Sequence, residues 1–132
     1  MNCNEIKDAL TTLTAGLYYS TESDYPLELL DWGAKTDAEV KEHIAGLHGN
    51  AFPLQELSCS DFFSRYINAL KSSGSAEMEA MARRFEELEK FIGTHAPCCA
   101  VYRCGRIEVG IYIVLMLPDP SVLVLKTMAV ET

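Results

Sequence analysis

Ile6, Leu10, Leu13 and Leu17 recur at intervals of four, three and four residues, which places them on one face of a helix. Gly16 weakens the end of that helix, and "STESDYP" follows as a polar loop closed by Pro26. In "LELLDW" the pattern changes to alternation, with Leu27, Leu29 and Asp31 set against Glu28, Leu30 and Trp32, as in a short strand. Thr36 and Glu39 then make a capping box, and Val40, Ile44 and Leu47 carry a second helix up to Gly49. A short strand is expected around "FPLQELS". Ser60 is the expected cap of a third helix with Phe63, Ile67 and Leu70 on its apolar face. After the break at "SSGS", Met78, Met81, Phe85, Leu88 and Phe91 or Ile92 predict a long helix from Ala76 to Ile92, stopped by Gly93.

The last third is extended. "AVYRCGRIEVGIYIVLML" contains two runs separated by a turn near Cys104-Gly105-Arg106, and "SVLVLKTMAV" returns after "PDP" as a third strand. Connections this short predict an antiparallel meander. Ile107, Val109, Ile111 and Ile113 share one face, and Tyr112, Val114 and Met116 make the other face apolar too. A strand apolar on both faces needs cover on both sides. The expected fold is therefore α/β of the α+β kind, an α-β-α sandwich. Its central, mostly antiparallel sheet has helices on both faces, in one domain spanning residues 1–132.

Composition narrows the partners. Eleven Lys and Arg against nineteen Asp and Glu give a net charge of -8. That charge argues against direct nucleic-acid binding, which draws most of its affinity from a cationic footprint. The opening residues show no basic segment followed by an apolar run, and no stretch is long and apolar enough for a bilayer. With five cysteines and no export signal, reduced thiols in the cytoplasm are the expectation, with no membrane partner.

Catalytic constellations are hard to find. Cys98 and Cys99 would point to opposite faces of a strand, and Cys98 and Cys104 would lie ~20 Å apart along one face, too far to share a zinc ion. Small buried hydrophobes, with one or two exposed thiols, is the simpler reading of the cysteines. Cys59, near a helix start, could serve as a nucleophile, but His43, His48 and His95 are scattered, with His43 and His48 expected at the surface. There is no phosphate-cradling glycine loop and no paired-histidine motif, so no cofactor is expected and the chain does not read as an enzyme. Glu22 and Asp24 in the "STESDYP" loop, and the terminal "AVET", have ordinary structural readings as a connection and a strand end.

Taken together, "GLYYSTESDYPLELLDW", "DFFSR", "VYRCGRIEVGIYIV" and the terminal "KTMAVET" resemble the nuclease A inhibitor family over nearly the whole chain. The resemblance implies an α-β-α sandwich and a stoichiometric inhibitor of a sugar-non-specific, magnesium-dependent nuclease, whose active site is cationic. It also implies that the glutamate of the "ES[DE]YP" loop, here Glu22 with Asp24 beside it, faces an arginine of the nuclease. The terminal threonine, here Thr132, would reach toward the nuclease's magnesium, with Glu131 entering the active site beside it. Family members use a Gln-Asp-Trp stretch as well; here residues 66–80 lack tryptophan, and Trp32 is the only one in the chain. That departure motivates an alternative, an interaction module of the same fold that has lost nuclease inhibition.

Overall fold

The computed structural model describes residues 1–96 and 98–131, the side chain of Cys98 excepted. Helix α1 (Cys3–Thr14) opens on a capping box that the apolar spacing did not reveal, with Asn2 and Glu5 satisfying each other's backbone N–H groups. A small hairpin follows, β1 (Tyr18–Ser20) and β2 (Asp24–Pro26), then the strand β3 (Glu28–Ala34). Helix α2 (Asp37–Leu47) starts at the expected Thr36–Glu39 box. Next come β4 (Gln55–Ser58), α3 (Cys59–Lys71) and α4 (Ala76–His95), and the meander β5 (Cys98–Gly105), β6 (Glu108–Met116) and β7 (Ser121–Val130) closes the chain.

The main sheet has the order β3-β7-β6-β5-β4 and every pairing in it is antiparallel. Apolar side chains from α1, α3 and α4 form one core with Val101, Ile111, Ile113, Leu115, Leu123 and Leu125 on one face of the sheet. Val40 and Ile44 of α2 form a second core with Tyr102, Tyr112, Val114, Val122 and Val124 on the other. The alternation along β6 thus divides as expected, and the fold is the helix-sheet-helix sandwich.

Several local expectations are corrected. Ser58, rather than Ser60, caps α3, its hydroxyl accepting the Asp61 N–H at 3.0 Å. The strand β4 hands the chain directly to the helix, so the earlier serine takes the cap. Helix α4 runs through Gly93 to His95. The Ala96 N–H still reaches the Ile92 carbonyl, and burial of Ile92 and Ala96 offsets a glycine cost of about 1 kcal/mol. Met78 faces solvent, and Ala82 is buried on α4 in addition to Phe85, Leu88 and Ile92.

His43 is exposed, as expected, and His48 is only half-buried, but each has a ring partner. His43 packs on Trp32 with ring centroids 4.3 Å apart. His48 Nε2 lies 2.8 Å from the Tyr112 hydroxyl. Burial, with Lys126 adding to it, lowers the His48 pKa, and burial pushes Tyr112 up to about 12, so the two pair as neutral groups. The cysteines are corrected as well: Cys59 and Cys99, 40 residues apart, form a disulfide between α3 and β5. A cystine sulfur is no nucleophile, which removes the thiol-enzyme reading for Cys59.

Candidate functional site

The "STESDYP" segment is the tip and return strand of a hairpin rather than an irregular loop. Ser20 pairs with Asp24 across the β1–β2 ladder, and the Thr21 N–H donates to the Ser23 carbonyl at 3.0 Å, which tightens the tip. Three residues at the tip are too few to hold this shape alone, since an isolated hairpin is marginal in water. The missing support comes from α3. The Tyr66 hydroxyl accepts the Ser20 N–H at 2.9 Å and donates to the Tyr18 carbonyl at 3.0 Å. Tyr19 packs its ring on Tyr66 and Phe62 at 4.6 and 5.4 Å, so the hairpin's inner face joins the main core. Burial raises the Tyr19 pKa, and the nearby positive charge of Arg103 opposes that rise.

The same hairpin lies against the last strand. Thr127, buried in β7, donates its hydroxyl to the Tyr25 carbonyl at 3.3 Å. At the chain end the Val130 N–H donates to the Thr21 hydroxyl at 3.0 Å. One residue later the Glu131 N–H turns the other way and donates to the Ile107 carbonyl, in the β5–β6 turn, at 2.7 Å. The carboxylate of Glu131 pairs with Arg103 of β5. Successive backbone and side-chain groups of the terminal strand are therefore held from both sides, where a loose chain end would be ordinary.

Of the four residues expected at the site, Glu22 and Asp24 are exposed on the hairpin and Glu131 is exposed at the end of β7. Thr132 lies outside the described residues. The Val130–Thr21 bond brings the hairpin tip and the chain end to one edge of the molecule. The internal ion pair of Glu131 was not anticipated. Neither were the supporting roles of Thr21, Tyr66, Arg103 and Ile107. One of these left a trace in the sequence: Arg103 follows Cys99 and Val101 on a strand face that is otherwise inward and apolar, and a cation there calls for a carboxylate partner. Its Nε is buried with no hydrogen-bond partner among the described residues, so Glu131 compensates only part of the guanidinium.

The fold and this edge define a small α+β protein that presents acidic groups on a backbone fixed by its own core. A family described as nuclease A inhibitor-like protein matches residues 4–132, and the chain belongs to that family. It is a family of inhibitors, and the family implies a nuclease as partner. Among curated proteins, none matches the chain. No helix among the described residues is long and apolar enough to cross a membrane.

Proposed function

We infer that this protein, acting as one unit, is a stoichiometric inhibitor of a sugar-non-specific, magnesium-dependent nuclease and performs no chemistry of its own. It blocks the active site with Glu22 and Asp24 of the hairpin and with the terminal Glu131 and Thr132. The observation that carries this reading is the hydrogen bond from the Val130 N–H to the Thr21 hydroxyl, which ties two sequence-distant segments into one edge. A cleft that holds phosphate offers cationic groups and a metal, and carboxylate and hydroxyl oxygens are the donors that can occupy a phosphate's place there. Within the edge, the Glu131 carboxylate pairs with Arg103, which tethers the end of the last strand beside the hairpin. The charge of -8 accelerates encounter with a cationic cleft, an effect that weakens as salt rises.

The test is titration of a purified nuclease of this class with the protein, following DNA cleavage. Cleavage is expected to end near one inhibitor per nuclease, with Glu22→Ala inhibiting more weakly. Absence of inhibition at micromolar protein against several such nucleases sinks the reading. It would favour instead an interaction module of the same fold. The tryptophan-free segment 66–80, which spans the end of α3 and the start of α4, is the feature that points that way.

A further inference from the structure

Two large apolar side chains stand in solvent beside the chain end. Ile107 is 57% exposed and Phe52 is 38% exposed, and they flank a hollow of about 480 Å³ completed by His48, Arg106 and Glu108. Both sit on backbone that is held. Ile107 has φ 45°, a left-handed conformation that a β-branched residue rarely adopts, and its carbonyl accepts the Glu131 N–H. Strain of this kind persists where surrounding structure enforces it, and it gathers at functional positions. On the other side of the hollow, the chain leaving α2 turns through Gly49 and Asn50 at φ 67° and 55°. It is pinned before the turn by His48 on Tyr112, and after it by the Cys104 thiol, 3.8 Å from the Phe52 carbonyl. Gly110 makes this possible, since a Cβ there would lie 2.8 Å from His48 Nε2.

We propose that Phe52 and Ile107 form a second contact surface that seats on an apolar rim of the nuclease, directly beside the cleft that receives the chain end. This rests on the inhibitor reading and adds to it an apolar anchor outside segment 66–80. Continuity fixes the occupant. Arg106 and Ile107 also line the adjoining hollow of about 280 Å³ that contains Arg103 and Glu131. A partner that covers Glu131 must next meet Ile107 and Phe52. Apolar side chains on a backbone already held in place spare the partner the cost of ordering that backbone on binding, which favours an effective anchor. Trp32 cannot take this part, because it is packed between His43 and Tyr112.

The experiment measures inhibition of a purified sugar-non-specific, magnesium-dependent nuclease by wild type, Ile107→Gly and Phe52→Ser, at low and high salt. Ile107→Gly suits the left-handed backbone, so folding stability should hold or rise while inhibition weakens about tenfold. Phe52→Ser leaves the terminal hydrogen bond untouched and should weaken inhibition to a similar extent. The loss for each should be the same at both salt concentrations, because the contact is apolar, and it should appear chiefly as faster dissociation. Wild type that inhibits, with both variants equally potent, overturns this proposal alone. Wild type that fails to inhibit overturns it together with the reading it rests on. Dimerisation of wild type by sedimentation, lost in Ile107→Gly without loss of inhibition, would assign the patch to a second copy and overturn the nuclease seat.

Discussion

Replacing Tyr66 by Phe removes one oxygen atom from the support under the hairpin. The hydroxyl makes two hydrogen bonds, at 2.9 Å from the Ser20 N–H and 3.0 Å to the Tyr18 carbonyl. The ring stays, with its contacts to Tyr19 at 4.6 Å and Phe85 at 4.9 Å, so no cavity accompanies the change. Each bond contributes about 1 kcal/mol net, and Tyr66 itself is buried, so the loss should be about 2 kcal/mol. For a chain of this size that corresponds to a fall of roughly 5–10 °C in Tm. Urea unfolding gives the free energy, and amide exchange gives its location: Ser20 should lose about thirtyfold in protection. Tyr18→Phe, at a residue 45% exposed, is the control and should stay within about 0.5 kcal/mol of wild type. A Tyr66→Phe protein as stable as that control, with Ser20 still protected, would refute the view that α3 holds the hairpin in place.

Other outcomes follow from the same contacts. Gly110→Ala would place a methyl 2.8 Å from His48 and 2.9 Å from Tyr112, so the His48 ring must move; a loss of about 1–3 kcal/mol is expected in urea unfolding. The His48 pKa is lowered in the folded protein, so the unfolded chain binds the proton more readily. Stability from this residue is therefore complete above its ordinary value of 6.5 and is lost as the pH falls through the folded value. Urea midpoints between pH 7.5 and 5.5 should fall less in His48→Gln than in wild type. Reducing the Cys59–Cys99 bond opens a closed loop of 40 residues and should cost about 4 kcal/mol, seen as a lower Tm with dithiothreitol that Cys59→Ser reproduces without it.

What could be read from the sequence was local and periodic. The four-and-three spacing in α1, the Thr36–Glu39 box and the two apolar faces of β6 each depend on neighbours within a few residues, and each was legible. The hairpin around Glu22 was not, because its supports are groups 46 to 109 positions away: the Tyr66 side chain under Ser20 and the Val130 backbone amide on Thr21. The disulfide hid for the same reason, since strand alternation places Cys99 on a face but not opposite Cys59. Ile107 misled in another way. Its place in the 107–113 alternation suggested a core position, yet the turn after Gly105 puts it in the left-handed region and in solvent. Periodicity gave no link between Glu22 and the chain end; only the family resemblance joined them.

The central claim is that the chain end works at the nuclease active site from an edge already built by Thr21, Ile107 and Arg103. Appending Gly-Ser after Thr132 displaces the terminal carboxylate while leaving those contacts in place. Inhibition of a magnesium-dependent, sugar-non-specific nuclease by the extended and the unextended protein is the direct comparison. The account predicts an unchanged Tm and inhibition weakened at least about a hundredfold, or roughly 2.7 kcal/mol. Equal inhibition by the two proteins would contradict it.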